Sequence, residues 1–247
     1  MLKWPRRLII LLAVLFVGPL AMASCSKVNV AGDWRTASRD SAGLAPRPEA
    51  TPEAVVQVYA ARAFGWRGMF AVHTWVATKP ADARSYTTYE VIGWRAFHGG
   101  SAIHVHDGEP DRHWFGARPE VLAELRGAPA SRAIAAIERT VANHPYKNEY
   151  RTWPGPNSNT FTAHIGRNVP ELALDLPPTA IGKDFIPGGV PIASAPSGTG
   201  LQLSLFGVLG VIVAVEEGLE FNILGLSFGV DPKSLALRLP GVGILGP

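Results

Sequence analysis

The chain has 247 residues, enough for one domain of ordinary size, and 47% of them are apolar, so a hydrophobic core can form. Its sequence pI of about 9.2 is in the range of nucleic-acid-binding proteins. Removing residues 1–24, however, leaves 20 basic against 20 acidic residues, because 23 minus 3 is 20. The remaining chain is formally neutral and has no basic stripe, which argues against a nucleic-acid partner.

The N-terminal segment predicts export. A basic start precedes the apolar run 8–17, and small residues surround a cleavage position after Ala23. The run is shorter than the roughly 20 residues that a bilayer span requires. Cys25, the only cysteine, lies where bacterial lipoproteins carry their lipid. We therefore expect residues 1–24 to be a signal peptide or membrane anchor of a periplasmic, membrane-associated protein, with simple secretion as the alternative.

The rest of the chain divides into two parts. Residues 25–50 are rich in Ala, Ser, Arg and Pro without periodicity, and are predicted to be a linker or a strap over the surface. Residues 51–247 are predicted to form a single α+β domain. This domain must fold without an internal disulfide, because one cysteine cannot form one.

The first half of the domain predicts an antiparallel meander. Runs of β-branched and aromatic residues indicate four strands, at 54–62, 69–79, 85–94 and 102–107. The glycines of segment 64–68 suit a hairpin between the first two strands.

Helical patterns follow. The segment 118–127 has Pro119 near its first turn and Gly127 at a C-cap position, which predicts a helix. A second helix is predicted over 131–145, with Ser131 as a possible N-cap. Its buried face is predicted to contain Ile134, Ile137 and Val141. A third helix is predicted to begin at about Ser158, with Phe161, Ile165 and Val169 buried.

The C-terminal third alternates again. The runs 200–215 and 219–230 flank the acidic turn 216–218, which predicts a long, glycine-rich hairpin. We expect this hairpin to complete the sheet or to cover a cleft. The predicted fold is therefore α+β: a meander sheet, two or three helices and a C-terminal β-hairpin.

The stretch Trp-Pro-Gly-Pro-Asn-Ser-Asn-Thr-Phe at 153–161 places Ser158 at a helix N-terminus. Free N–H groups and the helix dipole at that position stabilise a nucleophile's anion and a substrate oxyanion. A serine still requires a base, because its hydroxyl is a weak nucleophile. Helix capping is the alternative explanation for a small polar residue there.

His73 is the candidate base. Alternation places it on one strand face with Trp75, and a polar ring there must be hydrogen-bonded or functional. Glu90, on the neighbouring predicted strand, is placed to orient the imidazole, with Tyr89 in that role if the register differs. A satisfied core histidine and an exposed edge glutamate are the alternatives.

These motifs carry two resemblances. The blocks VVQVYAAR, WRGMFAVHTWV, YEVIGW, WPGPNSNTF, VPELALDLPPTAIGKDF, APSGTG and LPGVG cover most of the chain from about Ser41 onward. Through them the chain resembles the bacterial exported family known as domain of unknown function 3750, a label that supplies no activity. More weakly, NSNTF resembles the Asn-Cys-x-x-Phe helix start of circularly permuted papain-like enzymes such as lecithin retinol acyltransferase and the desumoylating peptidases.

The second resemblance implies a mechanism. Ser158 stands where those enzymes have cysteine, His73 matches their strand histidine, and Glu90 matches the orienting position. Asn157 or main-chain N–H groups would hold the oxyanion. The implied activity is a serine-histidine hydrolase or acyltransferase acting on a lipid or peptidoglycan-related bond, without a cofactor. The alternative is a non-catalytic envelope binding or structural lipoprotein.

Histidines are concentrated between residues 98 and 113. The segment contains His98, His104, His106, Asp107, Asp111 and His113. His104 and His106 share a strand face, an arrangement that suits a metal ion, but we interpret the segment as an exposed polar loop and predict no metal site. A metal site would require at least three of these six side chains to converge.

Overall fold

The computed structural model describes residues 3–24, 28 and 32–246, so Cys25 lies outside the described residues. The first sheet has five antiparallel strands in the order β4-β3-β2-β1-β5. They are β1 (Val55–Arg62), β2 (Val72–Lys79), β3 (Thr87–Val91), β4 (Ile103–Asp107) and β5 (Glu120–Arg126). The α+β class and the four-strand meander are confirmed.

The helix predicted over 118–127 is wrong, because this segment is strand β5. Glu, Leu and Ala favour a helix in isolation, but β5 pairs along the free edge of β1, and tertiary pairing outweighs this weak preference. Gly127, the expected C-cap, has φ of 62° and instead begins the next helix.

Four α-helices are described: α1 (Lys3–Met22), α2 (Gly93–Phe97), α3 (Gly127–Ala142) and α4 (Ser158–Asn168). None of the helices within the described residues is long and apolar enough to cross a membrane. Helix α3 begins four residues before Ser131, so Ser131 is not its N-cap. The predicted buried residues of α3 and α4 are confirmed, and α4 begins at Ser158 as expected.

The two faces of the first sheet have different partners. Helices α3 and α4 pack on one face, which we call the helix face. Its core includes Val56, Val58, Val76, Ile137, Phe161 and Ile165. The other face, which we call the strap face, contains Tyr59, Trp75 and Tyr86. It is partly covered by the chain near Leu44, which is fixed by Asp111: the buried Asp111 carboxylate accepts from Ser41 Oγ at 2.8 Å and from Leu44 N at 2.5 Å.

The C-terminal third forms a separate seven-stranded antiparallel sheet, so the predicted single hairpin is wrong. Its strands are β6 (Ile192–Ser194), β7 (Gly200–Leu205), β8 (Leu209–Ala214), β9 (Gly218–Ile223), β10 (Leu226–Asp231), β11 (Ala236–Leu239) and β12 (Gly243–Leu245). Each long predicted strand contains a turn of its own. Phe206-Gly207 and Leu224-Gly225 all have positive φ, as tight hairpin turns require.

The second sheet is polar on the face that packs against the rest of the molecule. Gln202, Glu220, Asn222 and Arg238 on this face are each at most 2% exposed. Glu220 pairs with Lys183 Nζ at 2.5 Å and with Arg238 Nε at 2.7 Å. An antiparallel sheet normally buries its apolar face, so this sheet has the reverse orientation.

Candidate functional site

The structure does not bring Ser158 and His73 together. Thr74 Oγ1 lies 3.4 Å from the Ser158 carbonyl oxygen and 2.9 Å from Thr162 Oγ1, so α4 packs on the Thr74 side of β2. His73, one residue earlier, points to the opposite face, because side chains alternate along a strand. It stacks there on Trp114, with ring centroids 3.6 Å apart. The predicted nucleophile–base pair is therefore wrong, since the sheet separates its members.

The start of α4 is a structural cap. Asn157 is the N-cap, and its side-chain oxygen accepts from the backbone N–H groups of Asn159 at 3.0 Å and Thr160 at 3.1 Å. Its Nδ2 donates to the carbonyls of Thr152 and Ile181, both at 3.1 Å. These bonds use both Nδ2 donors and occupy Oδ1, which is incompatible with the oxyanion role expected of Asn157. Capping, the alternative for this junction, is performed by Asn157, and Ser158 is the first helical residue.

The structure does bring His73 to Glu90, and it adds three further groups. Glu90 is fully buried, and its Oε2 lies 3.3 Å from His73 Nε2. Its Oε1 accepts from Arg112 Nη2 at 2.7 Å and lies 3.0 Å from His106 Nε2 and 3.4 Å from His104 Nδ1. We call these five residues the Glu90 cluster. The interpretation of Glu90 as an exposed edge charge is wrong.

Strand register explains most of this cluster. Glu90 pairs directly with His104, and Thr88 pairs with His106, so both histidines face the carboxylate from β4. Tyr89 points to the helix face, as the predicted register required. Sequence reasoning did not place Arg112 beside Glu90 or Trp114 beside His73, because both come from an irregular segment after β4 that has no periodicity to place it.

The cluster balances one buried carboxylate against several donors. Burial raises the pKa of Glu90, but hydrogen bonds from His106 and His73 and the charge of Arg112 outweigh burial and lower that pKa well below its ordinary value. Burial lowers the pKa of His73, although Glu90 opposes this. The hydrogen bond to Glu90 raises the pKa of His106. Glu90 is therefore an anion stabilised by its surroundings.

The convergence that a metal site would require within residues 98–113 occurs only in part. His98 Nδ1 lies 2.7 Å from the Trp94 carbonyl, and His113 Nδ1 lies 2.8 Å from the Asp40 carbonyl, so both are held locally. Asp107 accepts from Thr87, and Asp111 holds the chain near Leu44. A metal site was expected to require at least three of these six side chains, and only His104 and His106 come together. The side chains that do converge are His104, His106 and Glu90, whose ligand atoms all lie within 4.8 Å of one another.

Comparisons with known proteins give one match. No curated protein and no solved structure matches this chain. The family model described as "Protein of unknown function (DUF3750)" matches residues 53–185, more than half of the chain, which include the first sheet, α3, α4 and the Glu90 cluster. The second sheet lies outside the matched region. The chain belongs to this family of proteins of unknown function (DUF3750).

Proposed function

We propose that the protein is a non-catalytic envelope protein that rests on a lipid surface through the outward side of its second sheet. The observation that carries this proposal is a continuous apolar surface on that side, which we call the outer face. One row across it consists of register partners in six successive strands: Leu201, Val213, Leu219, Val230, Leu237 and Leu245. All six are at least 36% exposed. A second row contains Leu203, Val211, Phe221 and Phe228.

The size of the outer face requires an apolar partner. Its two rows contain ten large apolar side chains and, among the described residues, no charge. Burying one such side chain completely is worth about 1.5–3 kcal/mol, so half-exposed ones offer roughly 1 kcal/mol each. The face as a whole offers on the order of 10 kcal/mol. Apolar patches this extensive mark membrane or protein contacts.

Where the N-terminal segment is retained as an anchor, helix α1 favours lipid as the partner. Its C-terminal end packs against the turn between β11 and β12: a Cβ on Gly241 would lie 2.6 Å from Pro19 Cα. Elsewhere α1 exposes apolar side chains, including Ile9, Ile10 and Val17. A bilayer surface solvates the exposed apolar groups of both the helix and the sheet.

The predicted location is consistent with this role. The basic and apolar N-terminal segment is typical of export, and Cys25 occupies a lipoprotein position. We propose that the protein acts at the periplasmic side of a bacterial membrane, held by the N-terminal segment or by lipidated Cys25. The hydrolase hypothesis receives no support from the site, because Ser158 and His73 lie on opposite sides of the first sheet.

A single fluorophore on the outer face tests the proposal directly. Cys25→Ser provides a cysteine-free background, and Val213→Cys then accepts an environment-sensitive dye on the outer face, where Val213 is 59% exposed. We expect its emission to shift to the blue when vesicles of phosphatidylethanolamine and phosphatidylglycerol are added. Because the readout is local, contact through the N-terminal segment alone does not produce it.

Lys233→Cys in the same background is the matched control, since Lys233 lies in the turn before β11 and is exposed. Its dye should not respond to vesicles. If the Val213 dye shifts without vesicles and in proportion to protein concentration, a second copy of the chain occupies the face and the proposal is wrong.

A further inference from the structure

We propose that Glu90, His104 and His106 form a binding site for a divalent transition-metal ion of the zinc class. Two imidazoles and one carboxylate are a ligand set that Zn²⁺ takes in proteins, with one position left for water. Bonds of about 2.0–2.2 Å place tetrahedral ligand atoms roughly 3.3–3.6 Å apart. Glu90 Oε1 lies 3.0 Å from His106 Nε2 and 3.4 Å from His104 Nδ1, close to that spacing.

The three ligands are held by regular structure. His104 and His106 are two residues apart on β4, so both project from the same side of that strand. Their rings stack with centroids 4.4 Å apart. Glu90 is the register partner of His104 on β3. Adjacent antiparallel strands fix these positions more firmly than a loop would, which reduces the cost of ordering ligands around an ion.

Neighbouring residues orient the Glu90 carboxylate and keep it ionised. His73 Nε2 lies 3.3 Å from Glu90 Oε2, the oxygen that faces away from the two other ligands, and the stacking of Trp114 fixes the His73 ring. Partners of this kind orient metal ligands and hold them in the required state. Arg112 Nη2 donates to one lone pair of Glu90 Oε1 at 2.7 Å. An ionised carboxylate oxygen has a second lone pair, which can bind the metal ion.

An ion can reach the site from solvent. The side chains of His104 and His106 are 30% and 24% exposed, whereas Glu90 is fully buried below them. Arg112 Nη1 is buried without a hydrogen-bond acceptor among the described residues. A water or an anion that accompanies the ion would give this atom a partner.

The competing explanation is a metal-free ion network, in which Arg112 and a protonated His106 neutralise Glu90. Both explanations account for the same contacts, and they differ in whether Zn²⁺ binds. The test is calorimetric titration of ZnCl₂ into the full-length chain, purified in mild detergent and stripped with a chelator. We expect one Zn²⁺ per chain, and Co²⁺ in its place should show the visible absorption of a tetrahedral site.

His104→Ala and His106→Ala should each weaken Zn²⁺ binding by at least about 10-fold. Both side chains are partly exposed, so the fold is expected to survive, and circular dichroism checks this. His98→Ala is the matched control, because His98 is exposed and makes its contact locally. A second readout is the unfolding temperature, which Zn²⁺ should raise in the wild type and in His98→Ala but not in the two ligand variants. The proposal is overturned if the wild type takes up no Zn²⁺, or if binding survives both ligand substitutions.

Discussion

Replacing Arg238 by methionine should remove much of the stability of the second sheet. Arg238 lies on β11 and is fully buried. Its Nε donates to Glu220 Oε2 at 2.7 Å, and its Nη1 and Nη2 donate to the two Asp175 oxygens at 2.8 and 2.7 Å. It also donates to the Leu176 carbonyl at 2.8 Å. Met retains much of the apolar stem but none of these donors.

The magnitude follows from what remains buried. Glu220 is 1% exposed, and after the substitution only Lys183 neutralises it, at 2.5 Å. Asp175 is partly exposed and can return to water. Breaking a buried ion pair by removing one partner costs about 3–5 kcal/mol. At roughly 2–4 °C per kcal/mol for a chain of this size, the unfolding temperature should fall by about 6–20 °C.

The assay is urea unfolding followed by circular dichroism, with Lys233→Met as the matched control. Lys233 pairs with Glu216 at 2.6 Å but is more than half exposed, so its loss should cost at most about 1 kcal/mol. Equal losses of unfolding free energy in the two variants would refute the reasoning that burial makes the Arg238 network important.

Three further results are expected. A fluorophosphonate probe should label wild type and Ser158→Ala alike, and labelling that requires Ser158 would restore the hydrolase hypothesis. Asn157→Ala should lower the free energy of unfolding by about 1 kcal/mol through loss of the cap, and Ser158→Ala by less than about 0.5 kcal/mol; urea unfolding would contradict this if the order were reversed. Burial, followed by the charges of His164 and Lys147, lowers the pKa of His144 to about 4. Because the unfolded chain takes up this proton below about 6.5 and the folded chain does not, stability should fall as the pH drops from 6.5 toward 4. Between pH 6.5 and pH 5 the loss should reach about 2 kcal/mol, at about 1.4 kcal/mol per unit, and His144→Gln should remove it; parallel pH profiles of the two proteins would contradict the assignment.

Local patterns were sufficient for the meander and for α4. Alternation identified the strands that became β1 to β4, and it placed Glu90 on the same face as Thr88 and Tyr86. The Asn-Ser-Asn-Thr junction identified the start of α4, since capping is a local interaction. Strand β5 was missed, because its helix-favouring residues become a strand only when β1 offers a free edge.

The candidate site shows the same division. The sequence alone placed His73 and Glu90 on neighbouring strands, and the structure brings them to 3.3 Å. The sequence could not show on which side of the sheet α4 packs, since periodicity reveals which residues share a face but not what covers that face. The contact between Arg112 and Glu90 was not predicted either, because no periodic pattern places the segment that contains Arg112.

The sequence by itself determined the α+β class, the order of the first strands and the start of α4, all of which depend on contacts between residues near in the chain. Only the tertiary structure decided that Ser158 and His73 are separated, that Glu90 gathers three histidines and an arginine, and that the second sheet buries its polar face. Each of these outcomes depends on which surfaces of distant segments meet, and long-range packing fixes that choice.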